Sequence, residues 1–184
     1  MEQTTSTLIN ESALVVQAVA EPTAFAPLYD HYFPRVYNYI RYRVRDAHAT
    51  DDLTALVFER VLDNLSRYRP EQAPFSAWLF GIARNAVGDY FRARKRCPFL
   101  SFDRLDDHHD DSMPPEEVAA GREEHALLLN AVASLPERER DLVALKFGAG
   151  LTNRQIAGLT GLSESNVAVI LYRTLQKLRV VLKG

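Results

Sequence analysis

The sequence predicts an all-α protein built as two small helical domains joined by a flexible acidic linker. Three observations point there. Large apolar residues recur at three- and four-residue spacing up to about residue 96, the periodicity of helices with one buried face. Asn153 to Ile170 carries the residue pattern of a helix-turn-helix. Between the two lies a stretch of high charge and little periodicity that ends in Pro114 and Pro115. We place the first domain at residues 1–96, the linker at 97–117 and the second domain at 118–184.

Each element has a local reason. Glu11 to Ala20 forms a short segment with Ala13, Leu14 and Val16 on its apolar side. Pro22 to Val44 repeats Phe25, Leu28, Tyr29, Tyr32, Phe33, Val36, Tyr37 and Ile40. Pro34 removes a backbone donor and should kink or break that helix. Thr50, Asp51 and Asp52 are expected to open the next helix, a capping hydroxyl followed by carboxylates in the positively charged first turn. Leu53, Leu56, Val57, Val61, Leu62 and Leu65 continue it. Arg67 to Pro74 reads as a loop, and a long helix follows from about Phe75 to Arg96, with Trp78 assigned to the core.

Composition excludes several function classes. Apolar residues make up 47% of the chain, enough for real cores, yet no apolar run is long enough to span a membrane. The first twenty residues lack a basic start and a small-residue cleavage site, and Cys97 is the only cysteine, which fits a reducing cytoplasm. No glycine-rich phosphate loop, metal-ligand pair or nucleophile constellation is present, so no enzyme, cofactor or metal is expected. The net charge of −2 divides into +1 for residues 1–96, −6 for 97–117 and +3 for 118–184. The Asp106–Asp111 run therefore reads as a solvated linker, since nothing rigid positions its histidines and aspartates as ligands.

The helix-turn-helix carries the sharpest chemistry. Ala157 is small where two helices approach, Gly161 supplies a positive-φ turn, and Val167 faces inward with Ile156 and Leu162. Thr152 and Gln155 form a capping box for the first helix, and Ser163 caps the second. Such a unit reads duplex DNA from its second helix. In the first domain, Arg92, Arg94, Lys95 and Arg96 follow Arg84 and Asn85 on the long helix. That density of cations exceeds what a helix C-terminus needs and suits a nucleic-acid backbone.

The segments Phe25-x-x-Leu28-Tyr29, Pro34-Arg35-Val36-Tyr37, Asp51-Asp52-Leu53 and Phe75-x-Ala77-Trp78-Leu79-Phe80-x-Ile82-Ala83-Arg84-Asn85 closely resemble region 2 of the extracytoplasmic-function (ECF) sigma factors of bacterial RNA polymerase. Leu135-Pro136-x-Arg138-Glu139-Arg140, Gly150-Leu151-Thr152 and Lys177-Leu178-Arg179 resemble their region 4. The resemblance implies a dissociable specificity subunit that binds the β′ clamp coiled coil and the β flap of core polymerase. It would read the −35 duplex with its second domain and capture the melted −10 strand with its first. An anti-sigma antagonist and a cytoplasmic location, on the nucleoid with polymerase or held at the membrane by the antagonist, are implied as well. No membrane insertion is expected.

By this resemblance the −10 set is Arg67, Tyr68, Arg84, Asn85, Arg92, Arg94, Lys95 and Arg96. The −35 set is Ser165, Asn166, Val169, Tyr172, Arg173 and Lys177, with Arg179 available to phosphates. Asp51, Asp52, Leu53, Ala55 and Glu59 would meet polymerase. The chain departs from the family at Ala55 and Leu56, where Gln and Glu are common, and its recognition helix is poor in charge at Ala168, Ile170 and Leu175. The alternative is a conventional regulator that binds operators as a two-fold dimer.

Overall fold

Local capping and burial set where each helix of this computed structural model, which describes residues 11–96 and 126–183, begins and ends. The first half contains α1 (Glu11–Ala20), α2 (Ala26–Val44), α3 (Ala47–Asn64) and α4 (Phe75–Arg96), with 3₁₀ turns at Pro22–Phe25 and Leu65–Arg67. The second half contains α5 (residues 126–133), α6 (Glu137–Val143) running into a π turn at Ala144–Gly148, α7 (Asn153–Thr160) and α8 (Glu164–Lys183). No strand occurs among the described residues. Cys97 and the Asp106–Asp111 run lie outside them.

Two helix boundaries differ from the sequence expectation. Pro34 neither breaks nor ends α2, which runs unbroken from Ala26 to Val44. Pro34 and Asp30, whose carbonyl loses its donor, both lie on the exposed side, so water can serve that oxygen. In α3 the cap is Asp46, whose side chain accepts from Ala49 N–H at 2.9 Å. The helix thus starts about one turn before Thr50, which is fully buried and donates its hydroxyl to the Asp46 carbonyl at 2.7 Å. Thr50 is an interior residue, not a cap.

One continuous apolar core runs through both halves. It includes Leu28, Val36, Val57, Leu79 and Phe80 from the first, and Leu142, Leu145, Leu151, Ile156 and Val167 from the second. The π turn seats on α2, and α7 touches α4. Gly148 permits that seating, because a Cβ there would stand 2.9 Å from the Tyr39 backbone nitrogen. The same packing leaves two exposed surfaces, one on each half, between α3 and α4 and along α8.

Candidate nucleic-acid interface

The second half presents α8. Its supporting unit forms as the residue types dictate: Thr152 Oγ1 accepts from Gln155 N–H at 3.2 Å while Gln155 Oε1 accepts from Thr152 N–H at 2.9 Å. Gly161 ends α7 at φ 72°, and Ser163 Oγ accepts from Asn166 N–H at 3.2 Å at the start of α8. Ile156 and Val167 are fully buried between the two helices, so the outer face of α8 is fixed in direction. Ser165, Asn166, Val169, Tyr172, Arg173 and Lys177 all lie on it and all are exposed, Tyr172 by 65%.

Charge on this face is partly committed. Lys177 Nζ donates to Glu139 Oε1 at 2.7 Å and Oε2 at 3.0 Å, and the buried Thr174 hydroxyl donates to Oε2 at 3.1 Å. The Lys177 hydrogen bond, opposed by partial burial and helped by Thr174, holds the Glu139 carboxyl below its usual range. The pair ties α8 to α6 and holds one of the few cations of the recognition face against the protein.

The first half presents a concavity of about 360 Å³ between α3 and α4, lined by Arg60, Asn64, Arg67, Trp78, Ile82 and Asn85. Its apolar wall is Trp78 and Ile82; its polar rim is two amides and two guanidiniums. Asn64 donates to the Arg60 carbonyl at 2.8 Å and accepts from Arg67 at 3.3 Å, while Arg60 pairs with Asp89 at 3.1 Å. An aromatic wall with amides at its edge can stack a flat heterocycle and bond its periphery, and guanidiniums at the rim suit phosphates.

Two of the eight predicted −10 residues converge here and the others do not. Arg67 and Asn85 line the concavity and are exposed. Tyr68 is instead buried: its hydroxyl donates to the Ala73 carbonyl at 2.9 Å and its ring lies 5.3 Å from that of Trp78. It props the aromatic wall from behind. Trp78, assigned to the core from its spacing, is only partly buried and shows one side to the concavity. Arg84 turns the other way, toward the second half, where Nε donates to Asp141 Oδ2 at 2.8 Å and Nη1 to the Leu159 carbonyl at 3.0 Å. Arg92 pairs with Asp89, and Arg94 donates to the Tyr90 hydroxyl at 3.3 Å. Lys95 and Arg96 are exposed at the end of α4.

Sequence reasoning missed Arg60 and Asn64. Their signal was present, a polar pair at i, i+4 on α3, but which face of α3 meets α4 is settled only by packing. It also missed Asp141, which the fold buries between the halves. On α3, Asp51, Asp52, Ala55 and Glu59 share an exposed face, whereas Leu53 is 6% exposed and belongs to the core. No group of residues that could hold a metal occurs among the described residues, and no helix there is long and apolar enough to cross a membrane.

Comparison with known proteins adds independent findings. Residues 28–97 match Sigma-70 region 2, and residues 125–178 match Sigma-70, region 4. The ECF RNA polymerase sigma factor ShbA of Streptomyces griseus is 35% identical over 178 residues, covering 92% of this chain and 93% of that protein. The ECF RNA polymerase sigma factor BldN of Streptomyces coelicolor is 35% identical over 167 residues, 90% of this chain and 63% of that protein. Among solved structures, CnrH in complex with the cytosolic domain of CnrY has a TM-score of 0.72 at 23% identity, covering 95% of this chain and 98% of that one. The Bartonella quintana sigma factor RpoE, solved with the anti-sigma factor NepR, has a TM-score of 0.65 at 18% identity, covering 86% and 96%. At those identities the two structures show the shared all-α fold.

Proposed function

Since this chain belongs to the ECF sigma factors of RNA polymerase, we propose that it starts transcription by carrying two DNA-reading surfaces to one polymerase. The outer face of α8 reads the −35 duplex in the major groove. Val169 offers apolar contact to thymine methyls, Ser165 and Asn166 offer hydrogen bonds to base edges, and Arg173 reaches phosphates. The concavity between α3 and α4 takes a base from the melted −10 strand, stacked on Trp78 and bonded by Asn85, with Arg67 and the Arg94–Arg96 tract along the backbone. Asp51, Asp52, Ala55 and Glu59 form the polymerase-facing surface for the β′ clamp coiled coil, and residues 118–184 meet the β flap. Residues 1–96 and 118–184 then act as two modules with 97–117 as their tether. No catalysis is assigned to the chain itself.

The observation that carries this reading is the concavity. It joins an aromatic wall, two amides and basic residues at its rim, a combination that a dimeric operator-binding protein would not need. Because CnrH and the Bartonella sigma factor were each solved with a partner, the latter an anti-sigma factor, an anti-sigma antagonist acting in the cytoplasm is part of the proposal.

The test is association of the purified chain with bacterial core polymerase, followed by run-off transcription from its own upstream region. Asn85→Ala should lower open-complex formation about tenfold or more, the loss of one or more good base contacts, and leave polymerase association nearly intact. Failure to associate with polymerase, together with dimeric operator binding, would overturn the reading in favour of the conventional regulator.

A further inference from the structure

A second cavity, of about 580 Å³, lies where α4 of the first half faces α6 of the second. Its volume falls within the roughly 300–1,000 Å³ of common small-molecule sites. Its lining carries four guanidiniums, Arg43, Arg84, Arg92 and Arg138, against two carboxylates, Glu137 and Asp141, an excess of two positive charges. Arg84 Nε is committed to Asp141 Oδ2 at 2.8 Å, and Arg92 pairs with Asp89, which lies outside the lining. Arg138 is exposed and has no hydrogen bond or ion pair among the described residues. Arg43 is 6% exposed, and its Nε has no hydrogen-bond partner; Asp141 Oδ1 stands 3.6 Å away. A buried donor left without an acceptor is costly.

Gly88 lies on the same cavity wall, in the interior of α4. A glycine inside a helix is less stable there than alanine, because it gives up more conformational freedom on folding. Two ordinary reasons for keeping one are missing. Its backbone does not demand glycine, since the positive-φ glycines among the described residues are Gly150 and Gly161. Nor does a neighbouring helix exclude a side chain. Around the position a Cβ would take stands only the flexible Arg92 side chain, its Nη1 3.4 Å away. The bare backbone therefore widens the cavity without serving the fold.

We propose that this cavity binds a small molecule carrying a di- or triphosphate chain. Guanidiniums take phosphate oxygens in paired, charge-assisted hydrogen bonds. Arg92 and Arg138 stand on different walls, α4 and α6, so a chain of phosphates engages both where a single phosphate serves one. Arg43 and Arg84 add fixed positive charge, and an acceptor entering from the cavity satisfies the orphaned Arg43 donor. Beyond the phosphates, the Asn85 amide and the apolar Leu162 leave a place for a nucleoside. Two sources thus supply the same chemistry, a nucleoside triphosphate or an inorganic polyphosphate. The cavity shares Asn85 with the Trp78 concavity, yet its charge and shape stand apart from how α4 meets DNA.

The experiment is calorimetric titration of the full chain with ATP, GTP and inorganic tripolyphosphate, without divalent metal and at physiological ionic strength. Saturable one-to-one binding is expected. Gly88→Leu fills the cavity and removes no charge; Arg138→Gln removes the unpaired cation and leaves the shape. Each should weaken binding about tenfold or more, the worth of one charge-assisted contact. Without ligand, Gly88→Leu should melt no lower than the unsubstituted chain, because a helix-interior glycine has been replaced. Should Gly88→Leu fail to fold, Arg138→Gln decides alone. Equal affinity for all three ligands assigns the phosphate chain as the whole determinant, whereas tighter ATP or GTP adds the nucleoside to it. The proposal is overturned if none of the three binds saturably, or if binding survives either substitution in a folded variant. It is overturned too if Gly88→Leu weakens binding of a short single-stranded DNA but not of the triphosphates, which would make the cavity part of a DNA path.

Discussion

Gly161 shows how single residues constrain the recognition unit. At φ 72° between α7 and α8 it meets nothing within 4 Å of where a Cβ would point, so backbone conformation alone demands glycine there. Gly161→Ala should therefore cost about 1 kcal/mol, the left-handed penalty of an L residue. Urea unfolding should show this as a lower midpoint with an unchanged slope. Gly148 is the complementary case, with an ordinary φ and no room. The motif offsets made Gly161 legible in the sequence; Gly148 was not, because its neighbours Asn38 and Tyr39 are more than a hundred residues away in the chain.

At the scale of elements, α2 and the α6–α8 pair carry the clearest expectations. Pro34 interrupts the hydrogen bonding of α2 on its exposed side without ending the helix. Pro34→Ala should restore a donor and stabilise the protein by about 2 kcal/mol, roughly 3 kcal/mol of helix preference less the entropy that alanine returns to the unfolded chain. A denaturant midpoint that falls instead would mean that a proline-induced bend is needed for packing. Between α6 and α8, the depressed pKa of Glu139 has a definite sign. A carboxyl whose folded pKa lies below its ordinary value of 4.5 contributes stability that is fully present above that value and lost as pH falls through the lowered folded pKa. Glu139→Gln should flatten the acid limb of a stability-versus-pH curve in that window. If the curve is unaltered, the Lys177 pair adds nothing to stability, as many exposed pairs do not.

For the whole molecule, charge distribution governs DNA affinity. The chain is acidic overall at −2, and the cations on the proposed recognition face are Arg173, Lys177 and Arg179, with Lys177 already drawn to Glu139. Duplex binding should therefore be only moderately sensitive to salt, with a log–log slope between about −1.8 and −2.7 for two to three phosphates. A slope near roughly −5 or steeper would require further phosphate contacts from the first module. In that event the recognition helix would not be the main electrostatic anchor.

The sequence by itself determined what depends on near neighbours: the helical class, the caps at Thr152 and Ser163, the bounds of α1 and α4, and the exposed set on α8. These follow from periodicity and capping, which act over three or four residues. Tertiary structure decided what depends on facing surfaces. It buried Thr50, Leu53 and Tyr68, and opened Trp78 onto a concavity completed by Arg60 and Asn64. It also turned Arg84 from an apparent phosphate ligand into a partner of Asp141, 57 residues along the chain. The physical reason is that a helix pattern names an inward face but not what that face meets. A buried charge or an absent Cβ acquires meaning only when another helix packs against it.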